Sequence, residues 1–356
     1  MSRRRSLWLV PAAVLALTAA SAGSALAQEE EAVDPLPDID VLVAGFVPSR
    51  EANVLVTNIK PLTDYLTEAL GHTVWGNVTQ DYTGLVIAME TGQAHIGAFG
   101  PFGMLQAIDR AGVIPVLATQ RDGETTYHAQ WFTTEPEKYC LDEPTPRQIL
   151  DDDGEIVDYY TNRDGEQYTL LNCNGTGAIE TEAGYIYGPK GEEGIAQIEE
   201  GTPVSWTHTG STSGFIFPAL QLLEQTGLDP LTGVEAIMSQ KHDNSVLAVC
   251  NGDAEVGVSW WDAREIVSPA TCPAVEEMVV FALSEEIPAD GIAVSPDLPE
   301  EFVQQIVDAL LAYAETPEGA DVLDSVYQID TYGPADLEAY DLVREAADKV
   351  DAASLE

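Results

Sequence analysis

Short apolar runs alternate along most of the chain with stretches in which apolar residues recur every three or four positions. Asp40 to Phe46 predicts a buried strand ending before Pro48. Leu62, Leu66, Ala69 and Leu70 then predict a helix capped by Thr57 or Asn58 and stopped by Gly71. The alternation continues with strands over 72–78, 94–99 and 113–118 and helices over 82–89 and 102–111. Residues 127–134 read as a further strand. Beyond residue 200, strands over 204–207, 234–239 and 254–259 alternate with helices over 211–227 and 245–250. Strands over 278–283 and 291–295 follow, then helices over 301–315, 320–326 and 334–350. Such alternation predicts an α/β protein with mostly parallel sheets covered by helices. Two such units and a returning C-terminal part predict two lobes, joined by crossing strands near 130–134 and 278–294, with a ligand cleft between them.

The lobes expected from this pattern are 38–132 with 284–356, and 133–283. Between 136 and 200 the second lobe carries a polar, acidic insertion with turn signals such as DDDGE and NRDGE. Residues 1–27 stand apart. Arg3, Arg4 and Arg5 precede an apolar run, and Ala25-Leu26-Ala27 gives the small-x-small pattern of a cleavable export signal. Residues 28–37 read as a flexible acidic lead-in. The mature chain is therefore expected outside the cytoplasm, secreted or periplasmic, and is expected to be a monomer.

Charge changes the picture next. The formal net charge is −45, or −48 without the three signal arginines. Nucleic acid is a poor partner for such a chain, because phosphate backbones need clustered Lys and Arg. An anion ligand would need a strongly local site built from backbone N–H groups and hydroxyls. Cys140, Cys173, Cys250 and Cys272 make an even count in an exported chain, which favours disulfides. Pairing by order gives Cys140–Cys173 and Cys250–Cys272, one of three possible connectivities. No cysteine or histidine spacing suits zinc, and no metal or cofactor is expected.

The sharpest chemical signal is His208-Thr209-Gly210-Ser211-Thr212-Ser213-Gly214, which opens a helix directly after a strand. Ser211, Thr212 and Ser213 place three hydroxyls beside the free N–H groups of a first helical turn. A tetrahedral oxyanion fits there. Ser211 acting as a simple helix cap accounts for part of the same pattern. The Walker phosphate loop is absent.

The run STSGFIFP closely resembles a segment of the phosphonate-binding periplasmic protein family. Gln80-Asp81-Tyr82-Thr83-Gly84, His242 to Val249, and Ile287-Pro288-Ala289-Asp290 resemble three further segments of that family, in the same order. The resemblance covers roughly 38–134 and 202–325 and leaves out the insertion. It implies a type 2 periplasmic-binding-protein fold and capture of a phosphonate, phosphite or related phosphorus oxyanion for an ABC membrane permease. It further implies that Ser211, Thr212 and Ser213 hold the phosphoryl oxygens, that Tyr82 and Tyr127 add phenol contacts, and that His242 donates to the oxyanion. Asp262 and Asp290 fall where the family has carboxylates that meet the ligand's other end; Asp262 stands where some relatives have Glu, which shortens its reach. A protonated His242 would supply the positive charge that the chain otherwise lacks. Trp260 and Trp261 would wall the pocket. Two other readings are a sensing receptor of the same fold, and a secreted hydrolase built on Ser213, His242 and Asp262.

Overall fold

The structure, a computed structural model, describes Leu36 and residues 39–353 apart from 122, 151–154, 174, 175, 177, 182, 183 and 188–190. The export signal and most of the acidic lead-in lie outside the described residues. The chain opens with β1 (Val41–Phe46), α1 (Ala52–Leu70), β2 (Thr73–Val78), α2 (Tyr82–Glu90), β3 (Ile96–Phe99), α3 (Pro101–Ala111) and β4 (Ile114–Gln120). It continues through β5 (Thr126–Tyr127), β6 (Ala129–Thr133), β7 (Thr145–Pro146), β8 (Leu171–Asn172) and β9 (Pro203–Trp206). A π-helical turn, Thr212–Ile216, leads into α4 (Phe217–Thr226). Then come β10 (Glu235–Met238), α5 (His242–Cys250), β11 (Val256–Trp260), β12 (Val279–Leu283), β13 (Ile287–Pro288) and β14 (Gly291–Val294). Helices α6 (Glu300–Ala314) and α7 (Pro317–Tyr327), strand β15 (Thr331–Pro334) and helix α8 (Asp341–Ala353) complete it.

Among the described residues the strands form two large sheets. The first runs β2-β1-β3-β14-β4-β15 and the second β10-β9-β11-β6-β12-β8-β7. Each has the same plan: parallel strands ordered second, first, third, then one antiparallel strand contributed by a distant part of the chain, then a fourth. In the first sheet the intruding strand is β14, antiparallel to both β3 and β4. In the second it is β6, antiparallel to both β11 and β12. Between the sheets the chain crosses as a small antiparallel pair, β5 with β13, where Ile287 faces Tyr127. This is the two-lobed α/β fold of type 2 periplasmic binding proteins.

Packing explains where the elements begin. Helix α1 starts at Ala52, six positions before the expected Asn58 cap, because its buried ladder continues upstream: Leu55, Ile59, Leu62, Leu66 and Leu70. These pack with Phe302, Ile306 and Leu310 of α6 and Leu323 and Val326 of α7. Each contributes roughly 1.5–3 kcal/mol on burial, enough to hold a helix that contains Pro61. Strand β6 lies wholly in the second sheet, so the chain leaves the first sheet before residue 129 rather than near 132. The strand β15 was not expected: Pro334 reads as a helix start, yet at a sheet edge its missing N–H costs no ladder bond.

The insertion is more than loop. Its β7 and β8 extend the second sheet, Leu171 pairing with Val279 of β12. Disulfides join Cys140 to Cys173 and Cys250 to Cys272, the in-order pairing. The first anchors the start of the insertion beside β8. Helix α8 packs on α3 and α4, with Arg344 bound to Asp109 and Lys349 near Glu224.

Candidate functional site

In an open α/β sheet, loops at the carboxyl ends of the strands line the ligand crevice. Here those loops from both sheets meet. Ser49 and Arg50 follow β1, Tyr82 follows β2, Gly100 follows β3 and Arg121 follows β4. From the second sheet, Ser211–Ser213 follow β9, His242 follows β10, Trp260 ends β11 and Trp261 follows it. All of these line one cavity of about 110 Å³, together with Tyr127 and Asp290 of the crossing segments.

The hydroxyl triplet sits where the chain turns from β9 into the π-helical turn. Ser211 is in extended conformation, and its Oγ accepts from the Gly214 N–H at 3.1 Å. The cap is therefore real, and it does not exclude a ligand role. Gly214 is required here, since a Cβ would fall 1.8 Å from Thr207 Oγ1. Thr212 Oγ1 accepts from the Phe102 N–H of α3 at 2.9 Å, linking the two sheets' loops. The Tyr82 hydroxyl lies close to Ser211 and the Tyr127 hydroxyl close to Ser213. Around the rim, His242 N–H donates to the Ser49 carbonyl at 3.0 Å and Lys241 pairs with Glu51 at 2.5 Å. The cleft is thus shut by direct contacts between its walls.

His242 is 4% exposed at the start of α5. Its Nδ1 lies 2.7 Å from Ser259 Oγ and its Nε2 3.5 Å from Ser211 Oγ. Burial, reinforced by the nearby Arg50 charge, lowers its pKa to about 3. The ring is therefore neutral and does not supply the positive charge that a protonated His242 would bring. Burial also raises the pKa of both phenols, for Tyr127 with help from the Asp290 charge, so each keeps its proton as a donor. Positive charge comes instead from two residues the sequence reading passed over, Arg50 and Arg121. Their scarcity was a signal: the chain has only 15 Lys and Arg, and Arg121 sits three residues after the strand predicted over 113–118.

A sequence model of the family described as "ABC transporter, phosphonate, periplasmic substrate-binding protein" matches residues 44–340. The chain belongs to this phosphonate-binding family. Its members are substrate-binding proteins of ABC transporters. A curated relative, the phosphate-import protein PhnD of Mycolicibacterium smegmatis, is 22% identical over 258 residues. That match takes in 70% of this chain and 63% of the relative, so the chain spans less than two thirds of that protein's length. Two solved structures share the fold. One is a binding protein component of an ABC phosphonate transporter from Pseudomonas aeruginosa, with TM-score 0.65, 17% identity and coverage of 89% of this chain and 88% of that one. The other is PhnD1 from Prochlorococcus marinus in complex with methylphosphonate, with TM-score 0.66, 16% identity and coverage of 88% and 98%.

Against the family pattern, one predicted site residue is misplaced. Asp262 does not line the cavity. It is fully buried, forked by Arg264 (Nε to Oδ1 2.9 Å, Nη2 to Oδ2 2.5 Å) and reached by Arg147 of the insertion at 3.2 Å. Burial alone would raise its pKa, but the Arg264 and Arg147 charges hold it below the usual carboxylate range. The same arrangement dismantles the drawn Ser213–His242–Asp262 triad. His242 approaches Ser211 rather than Ser213, and the group on its Nδ1 is Ser259. The insertion contributes through Arg147, which also packs 4.4 Å from the Trp261 ring and so braces one cavity wall.

Proposed function

We propose that this protein captures a small phosphorus oxyanion (a phosphonate, phosphite or phosphate) between its two lobes and presents it to an ABC membrane permease outside the cytoplasm. The observation that carries this is the convergence of Ser211, Thr212 and Ser213 with Tyr82, Tyr127 and His242 on one cavity between the two sheets. That set supplies only neutral O–H and N–H donors at the start of a helix, which suits a tetrahedral oxyanion. Family membership and the methylphosphonate bound in the Prochlorococcus structure point the same way. We take the lobes to be the units built on the two sheets, with β5 and β13 as the hinge. A ligand that touches both walls favours the closed arrangement by the contacts it gains there. The chain acts as a binding protein, without turnover.

Calorimetry with methylphosphonate, phosphite, phosphate and sulfate tests the reading. Binding of at least one phosphorus anion is expected, weakened by about 1.5–3 kcal/mol in Ser213→Ala, the range for a hydrogen bond to a charged group. Undiminished affinity in that variant, or no binding of any phosphorus anion by the native protein, refutes it.

A further inference from the structure

A ligand with a charged amino tail needs an unpaired carboxylate within the pocket. Neither candidate offers one. Asp262 lies outside the cavity and serves Arg264 and Arg147. Asp290 does line it, but its Oδ2 takes the Arg121 Nη2 at 2.8 Å. Arg121 is held in that position from three sides: by Asp290, by the Tyr327 carbonyl at 3.3 Å, and by the Tyr127 ring 5.5 Å beneath its guanidinium. The two side chains are 23% and 29% exposed, so the pair faces the cleft rather than bulk solvent. Among the described residues lining the cavity, the charged side chains are Arg50, Arg121 and Asp290, a local surplus of one positive charge.

We propose that Arg121 is a specificity-determining residue: by occupying Asp290 it turns the pocket away from zwitterionic aminoalkyl phosphonates and toward phosphorus oxyanions with no cationic tail. The proposal rests on the phosphorus-oxyanion reading above and deepens it. An incoming ammonium would have to displace the guanidinium from Asp290 or sit beside it as a like charge, and both cost binding free energy. An anion without that tail meets the surplus charge favourably.

The test compares methylphosphonate with 2-aminoethylphosphonate by calorimetry in the native protein, in Arg121→Gln and in Arg121→Gln combined with Asp290→Asn. In the native protein methylphosphonate should bind at least about tenfold tighter, equivalent to about 1.4 kcal/mol. Arg121→Gln frees Asp290 and should shrink or reverse that preference, and adding Asp290→Asn should abolish the gain for the amino ligand. Equal or tighter binding of 2-aminoethylphosphonate by the native protein overturns the proposal while leaving the oxyanion reading intact. So does an unchanged preference in Arg121→Gln. Failure of both ligands and of phosphite to bind would instead sink the function itself.

Discussion

A buried neutral histidine makes the stability of the empty protein depend on pH in a calculable way. His242 has its pKa lowered from the ordinary 6.5 to about 3, chiefly by burial. In the unfolded chain the same ring titrates normally. The folded-state pKa is the depressed one, so the folded protein refuses a proton that the unfolded chain accepts. The stability associated with the neutral ring is therefore complete above pH 6.5. It is lost as pH falls toward 3 and declines no further below that. Each pH unit in this window costs about 1.4 kcal/mol, giving roughly 2 kcal/mol at pH 5 and 4–5 kcal/mol at pH 3. The chain's 60 Asp and Glu also titrate there, so the histidine must be isolated by difference. His242→Gln removes the titrating group while keeping an amide to meet Ser259. Urea unfolding of both ligand-free proteins at about pH 7 and pH 5 should show the native protein losing about 2 kcal/mol more than the variant. Curves parallel to within about 0.5 kcal/mol would show that the ring is solvated or already charged, and the description of the cavity would fail.

Asp262→Ala should destabilise the protein by about 3–5 kcal/mol in denaturant unfolding, because it leaves the guanidinium of Arg264 buried without its carboxylate; a loss below about 1 kcal/mol would mean the arginine has another route to solvent. Gly214→Ala should lower ligand affinity by at least about tenfold in calorimetry, since the new methyl must push Thr207 or the hydroxyl-bearing turn aside; unchanged affinity would mean the turn is not fixed by that contact.

How much of this was legible depends on which forces set each feature. The parallel strands and their helices were readable because local periodicity and burial agree there, as in Leu62, Leu66 and Leu70. The end of an element depends on distant partners, which a local pattern does not carry. Thr57 and Asn58 look like caps, yet α6 and α7 hold the preceding turn helical. Ser211–Ser213 were readable from three hydroxyls at a helix start, whereas Tyr82, Tyr127, His242 and Asp290 were placed by a family resemblance; all line one cavity. Their electrostatic state was not readable. Whether His242 is charged turns on its burial and on Arg50, and whether Asp290 and Asp262 are vacant turns on Arg121, Arg147 and Arg264. Arg121 and Asp290 lie 169 positions apart in sequence, and Arg147 and Asp262 lie 115 apart. Spacing says nothing about such pairs.

Those arginines also show how a chain with a formal charge of −45 could hold the proposed anion. The Debye length at physiological ionic strength is about 8 Å, so most surface carboxylates are screened from a closed cleft. What remains is the local balance. Asp262 is removed from the cavity by two guanidinium groups, Asp290 is neutralised by a third, and Arg50 is left as the surplus. The phenols and the imidazole are kept neutral by the burial that strengthens every remaining dipole. The global charge and the site's charge are thus independent variables. The second is set by where a few of the chain's 15 basic residues are spent.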